Sequence, residues 1–210
     1  MATLEIMKAR TALEIRRANI TAQIASAIST AITAYQGERW LLNESRTVTF
    51  ATVANQEAYA AAASASIPLL RKIDYLTLLV GNQPTQLCSM SSIDVETANA
   101  NGTNTGQPGG CAFYQQQFRL SPIPSDIWTI RLAGVFATAE PATDGETGNA
   151  WMTTGERLIR CRAKWELATH VTFDDRMRSA MAEATQEAWN DLKSVTNQLT
   201  GTGRIRASTY

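Results

Sequence analysis

Histidine occurs once in this 210-residue chain, at His170. Any site relying on imidazole, whether Ser-His-Asp or Cys-His, would have to be built around that residue. Cysteine is nearly as scarce. Cys88, Cys111 and Cys161 are odd in number and widely scattered, with no C-x-x-C spacing. That excludes the usual zinc and redox-pair patterns and points to free buried thiols. Charge is also thin: 18% of residues, with a net charge of +0. Globular domains usually carry about a quarter charged residues. The balance offers no footprint for tight binding to duplex DNA or to an anionic membrane. Long apolar runs are missing, and stretches such as Tyr75–Val80 are far too short to span a bilayer. Near the start, Glu5, Lys8, Arg10, Glu14, Arg16 and Arg17 interrupt the apolar residues, unlike a signal peptide. The chain is expected to remain in the compartment where it is made.

What is present is a patterned core. Hydrophobic residues make up 44% of the chain, enough for one domain of ordinary size. Thr3–Tyr35 contains no Pro or Gly and reads as one long helix, about 50 Å at 1.5 Å per residue. Ile20, Ile24, Ile28 and Ile32 recur every four residues and form one ridge. Ala27, Ala31 and Ala34 flank that ridge, and Gly37 is a plausible stop. A helix longer than its own domain needs is expected to pack its isoleucine ridge against neighbouring copies.

The middle of the chain changes character. Thr47–Phe50 alternates like a strand, and Ile73–Val80, Gln86–Met90, Ala112–Leu120 and Trp128–Phe136 are further strand candidates. Pro68, Pro84, Pro108, Pro122 and Pro124 punctuate them. Tyr59–Ser66 stays open between helix and extended chain. Ala98–Gly110 is uncharged and rich in Asn, Thr and Gly, and reads as a mobile loop. It holds no Lys, so it is not a phosphate loop. The last third returns to helix. Thr153 and Glu156 suit a capping box, and Leu158, Cys161, Trp165 and Ala168 trace one face. Thr172 or Asp174 can cap a following helix marked by Met177, Met181, Ala184, Ala188, Leu192 and Val195. Residues 200–210 carry Arg204 and Arg206 and no acid.

The expected fold is therefore α+β and a single structural unit. A long N-terminal helix (1–37) precedes a small antiparallel β-sandwich or barrel (38–148). C-terminal helices (149–199) and an extended tail (200–210) follow.

The candidate chemistry has simpler structural explanations. His170 suits a helix C-terminus, where the dipole favours it. Asp174-Asp175 suits a helix start, although a diverged metal-dependent site around His170, Asp174 and Asp175 is the enzymatic alternative. Glu140, Asp144 and Glu146 lie in a loop without EF-hand spacing. Arg10, Arg16 and Arg17 are interleaved with acids, and no nucleic-acid-binding signature accompanies them. No catalytic residue, cofactor or metal is expected.

One ordered set of segments is more informative. Arg39-Trp40-Leu41 is followed by Phe50-Ala51-Thr52-Val53-Ala54-Asn55-Gln56-Glu57-Ala58-Tyr59 and then Ile73-Asp74-Tyr75-Leu76. Gly109-Gly110-Cys111-Ala112-Phe113-Tyr114 leads to Phe118-Arg119-Leu120-Ser121-Pro122-Ile123-Pro124-Ser125-Asp126 and Trp128-Thr129-Ile130-Arg131-Leu132. Trp151 and Gly155-Glu156-Arg157-Leu158-Ile159 close the series. This order, over about Arg39–Thr172, resembles tailed-phage head-to-tail adaptor (connector) proteins. Two departures are the Ala-rich Ala60–Ser66 link and the long N-terminal helix.

The resemblance implies a structural ring protein of the virion, assembled in the host cytoplasm and commonly twelve-fold. Such a ring docks beneath the portal, extends the DNA channel and offers a platform to tail or nozzle proteins. Genomic DNA would pass without sequence-specific binding. A tail-completion or tail-tube component is the alternative. The C-terminal segment of several such adaptors inserts into the portal, which makes Arg204, Ile205, Arg206 and Tyr210 the portal-interface candidates. Ile20, Ile24, Ile28 and Ile32 are the subunit-packing candidates.

Overall fold

The computed structural model describes residues 2–17, 19–81 and 83–200, with the side chains of 199 and 200 not described. Two N-terminal helices, α1 (Leu4–Ile15) and α2 (Thr21–Tyr35), precede strands β1 (Glu44–Ala51), β2 (Ala58–Tyr59), β3 (Leu70–Val80), β4 (Gln83–Gln86) and β5 (Cys88–Ser89). A short helix α3 (Ser92–Asn99) leads to β6 (Thr105–Gly106), β7 (Gly110–Tyr114), β8 (Gln117–Ser121), β9 (Ile123–Pro124) and β10 (Thr129–Phe136). Helices α4 (Ala150–Thr153), α5 (Glu156–Leu167) and α6 (Asp175–Thr200) complete the order, with a π-helical turn at Ala168–Thr172. The α+β class is as expected. The described residues cluster into two compact units, one from 2–43 with 138–200 and one from 44–137.

In the helical unit, the single long helix expected over Thr3–Tyr35 is two helices. Thr3 caps α1 by accepting the Ile6 N–H at 3.3 Å. The helix stops because Arg16 adopts the left-handed region at φ 53. Its N–H then donates to the Leu13 carbonyl at 3.2 Å, and the Arg17 N–H reaches back to Ala12 at 3.1 Å. These are the paired bonds of a Schellman ending, with arginine where glycine usually sits. Since arginine is a good helix former, residue type alone gave no warning.

Helix α2 buries Ile24, Ala27, Ile28, Ala31 and Ile32. They join Met7, Ile15, Trp40, Trp151, Leu158, Ile159 and Leu167 in one core. Fully burying one such apolar side chain contributes about 1.5–3 kcal/mol, a large share of a domain's net stability of about 5–15 kcal/mol. The isoleucine ridge is therefore committed to its own unit.

The two buried indoles anchor the chain on either side of the sheet unit's insertion. Trp40 Nε1–H donates to the Tyr35 carbonyl at 3.0 Å, and Trp151 Nε1–H donates to Thr138 at 3.1 Å. The capping box expected at Thr153 is absent. Asn149 caps α4 instead, accepting the Trp151 N–H at 3.1 Å, and Gly155 opens α5. At Gly155 a side chain would collide with the Trp151 ring. Asp174 does cap α6, accepting the Met177 N–H at 2.9 Å.

The sheet unit holds two four-stranded sheets, ordered β1-β10-β3-β4 and β2-β8-β7-β5, and a two-stranded β6-β9 pair. The first sheet is antiparallel throughout. The short β5–β7 and β6–β9 pairings are parallel, within a middle region that is otherwise antiparallel as expected. Registered triplets Phe50-Ile130-Leu78 and Val48-Leu132-Leu76 run across the first sheet. All but the partly buried Val48 are core residues, shared with Tyr59, Cys111, Phe118 and Leu120 of the second. That is the alternation expected of strands with one covered face. A register shift at Gly134 leaves no room for a side chain, because a Cβ there would meet the Lys72 carbonyl. The β7–β8 hairpin turns through Gln115 and Gln116, with φ of 50 and 59, the conformation two-residue hairpins favour.

Ala98–Gly110 is not the unanchored loop expected from composition. Ser91 caps α3 by accepting the Asp94 N–H at 3.2 Å, and that helix runs to Asn99. The buried Asn99 amide donates to Leu120 at 2.9 Å and accepts the Ser121 hydroxyl at 3.1 Å. Thr105 and Gly106 then pair with Ile123 and Pro124 in the Pro-x-Pro corner, whose Ser121–Pro122 bond is cis. Tyr59–Ser66 resolves as a strand end followed by turns.

Candidate assembly surfaces

Helix α1 has two working faces. Met7, Thr11 and Ile15 are buried. Ion pairs fix the flanks: Lys8 with Asp144 at 2.6 Å, Arg10 with Glu156 at 3.4 Å, and Glu14 with Lys164 at 2.6 Å and also with Arg160. Partial burial would raise the Glu14 pKa, but Lys164 and Arg160 outweigh it and hold the carboxyl below its usual range. Glu14, the acid in the last turn of this helix, is thus turned toward α5. Its outward face carries Ile6, Ala9 and Leu13, the last 80% exposed. Ala9, Ala12, Leu13, Arg16 and Arg17 line a surface groove of about 410 Å³. An apolar stripe opposite the buried stripe is more than a solvated helix needs.

A second fixed element is the base of α6. Trp40 is fully buried and meets Trp189 edge-on at 6.1 Å. The Lys193 ammonium lies 4.5 Å above the Trp40 ring and 5.3 Å from Trp189. It also contacts Glu38 at 3.1 Å and the Arg39 carbonyl at 3.0 Å. Thr196 adds a hydroxyl that accepts the Leu41 N–H at 3.3 Å.

The sequence-derived candidates fall out as follows. Ile20, Ile24, Ile28 and Ile32 are buried in their own unit, so the expectation that they pack between subunits is corrected. Arg204, Ile205, Arg206 and Tyr210 lie outside the described residues. His170 sits in the π-helical turn, exposed, 3.4 Å from Glu166. It borders a cavity of about 180 Å³, below the range of most ligand sites. Asp174 is engaged as a cap, and Asp175 pairs with Arg178 at 2.9 Å. Glu140 accepts the Ser29 hydroxyl at 2.8 Å. Among the described residues, no three His, Cys, Asp or Glu side chains converge as metal ligands, and no helix is long and apolar enough to cross a membrane. Cys111 and Cys161 are buried free thiols as expected, but Cys88 is exposed.

Sequence reasoning missed the outward stripe of α1. It also missed three protruding side chains, Ile93 on α3, Ile127 before β10 and Phe173 at a left-handed turn. A lone apolar residue among polar ones carries little signal, since single exposed hydrophobes are common.

Residues 1–207 match the family model described as SU10 adaptor protein. The chain belongs to this family. It is a family of tailed-phage head-to-tail adaptors, structural proteins of the virion rather than enzymes. No curated protein matches the chain. The resemblance seen in Arg39–Thr172 thus extends over nearly the whole adaptor, including both terminal helical segments and Arg204, Ile205 and Arg206. For an adaptor, the functional surface is whatever holds copies and neighbours together. The outward face of α1 and the clamped end of α6 are its leading candidates.

Proposed function

We propose that this adaptor assembles as a ring, of about twelve copies as the resemblance implies, beneath the portal. There it extends the DNA channel and presents a platform to tail or nozzle proteins. The observation that carries the reading is the family match over residues 1–207. The clamp at Trp40, Trp189 and Lys193 supports it physically. It gives residues 201–210 a fixed point of departure, which lowers the entropy cost of docking them on a partner. Arg204 and Arg206 would pair with portal acids, while Ile205 and Tyr210 fill apolar pockets. Net neutrality suits a conduit, because each phosphate neutralised adds salt-sensitive grip on DNA.

The test is removal of residues 200–210. The truncated adaptor should keep its circular dichroism spectrum and lose portal binding in a pull-down. Unchanged portal affinity would overturn the assignment of the C-terminal segment. Electron microscopy of the assembled particle should place the ring against the portal. A ring found only on the tail tube would replace this reading with a tail-completion role.

A further inference from the structure

We infer that neighbouring copies bind head to tail, with the acidic first turn of α3 in one copy seating Ile93 in the α1 groove of the next. The inference rests on the ring reading above and names the contact that would build the ring. Its starting point is the groove. Ala9, Ala12 and Leu13 give it an apolar lining, and Arg16 and Arg17 add positive charge. Among the described residues, neither arginine has an ion-pair partner. The occupant must therefore bring an apolar side chain flanked by uncompensated acid.

The protruding side chains of the adaptor can be sorted by that requirement. Phe173 is 78% exposed and adjoins Asp174 and Asp175, but Arg176 and Arg178 follow and Arg178 already pairs with Asp175. Ile73 adjoins Asp74, but Arg71 and Lys72 precede it. Ile127 has one acid beside it, Asp126, whose carboxylate accepts the Ile127 N–H at 2.7 Å. Ile93 is different. It is 68% exposed on α3, with Asp94 and Glu96 beside it. Those two acids are the only charged residues between Asp74 and Arg119. Glu96 pairs with Arg119 at 2.8 Å, whereas Asp94 has only the Ser91 hydroxyl, at 2.6 Å. Of the protruding aliphatic side chains compared, Ile93 has the most acid beside it, two carboxylates in a stretch of sequence without a base.

Helix polarity agrees. The acids lie in the first half of α3, and the groove lies at the last turn of α1. Overlapping the start of α3 with the end of α1, the two helices parallel and staggered, sets opposite dipole ends together. With Ile93 over Leu13, the acids that follow it in α3 fall toward Arg16 and Arg17, which follow Leu13. The two patches differ, so each copy can give one and receive the other. Such a heterologous contact propagates, and it closes into a ring when the rotation per copy permits. The long-range attraction also steers encounter between copies.

Disulfide trapping tests the contact. Leu13→Cys and Ile93→Cys are made in separate copies, each also carrying Cys88→Ser to remove the exposed native thiol. The copies are mixed with portal and mildly oxidised. A cross-linked dimer containing one copy of each is expected, and none from Leu13→Cys mixed with Phe113→Cys. Charge exchange is the second arm. Arg17→Glu or Asp94→Lys alone should weaken assembly at least about tenfold, and the two together should restore it. Rings that form without the 13–93 link, or without charge rescue, would overturn this contact and leave the ring reading intact. Unmodified adaptor that never oligomerises with portal in sedimentation would remove the ring reading, and this contact with it.

Discussion

The Lys193 ammonium stands 4.5 Å above the ring of Trp40, and Trp40 is shut off from solvent. The pair joins residues far apart in the chain and fixes α6 to the segment that leaves α2. Trp40→Ala removes a buried indole together with its hydrogen bond to Tyr35, and should cost about 3–5 kcal/mol. Lys193→Met keeps most of the stem and deletes the charge, and should cost about 0.5–1 kcal/mol. Urea denaturation followed by circular dichroism measures both. A Trp40→Ala loss below that of Lys193→Met would show that the clamp does not hold the helix.

Glu14 predicts the behaviour in acid. Its folded pKa lies below the usual value of 4.5. A depressed carboxylate contributes stability that is complete above its unfolded pKa and is lost as pH falls through the folded one. The helical unit should therefore weaken as pH drops below about 4.5. In Glu14→Gln the midpoint should be lower at neutral pH and should change less on acidification. A variant whose melting temperature tracks the parent's across that window would discount the Glu14–Lys164–Arg160 cluster.

Thiol labelling separates the three cysteines. Cys88 is exposed, while burial pushes the Cys111 thiol up to about 11 and raises Cys161 as well. Iodoacetamide at neutral pH should modify one thiol per folded chain, and Cys88→Ser should abolish that reaction. Thiolate is the nucleophile, so the buried pair should react only once the chain is denatured. Mass spectrometry that finds Cys111 modified in the folded adaptor would contradict its burial.

Much of the strand order was legible because alternation survives folding. Thr47–Phe50 and Ile73–Val80 lie within strands, and Trp128–Phe136 matches β10 but for its first residue. The break at Arg16 was not legible. It depends on a left-handed arginine held by two backbone bonds, and no residue type announces that. Helix α3 hid because it is short and runs into the uncharged, turn-rich Ala98–Gly110, with its Ser91–Asp94 cap and a buried Val95 as modest helical signals. The isoleucine ridge was correctly seen as one face and wrongly assigned an occupant. Periodicity says that a face is covered, but not which chain covers it. The assembly surfaces were faintest, because each depends on residues brought together only by the fold.

The helical unit is assembled from both ends of the chain, with the sheet unit encoded between them. Synthesis runs from the N-terminus, so α1 and α2 leave the ribosome well before α5 and α6 exist. Ile24, Ile28 and Ile32 must wait for partners such as Ile159 and Leu167, over a hundred residues downstream. The sheet unit, encoded without interruption, can close first. Birth order thus acts as a check on completeness: a chain cut short before α5 and α6 lacks the side chains that close the helical core.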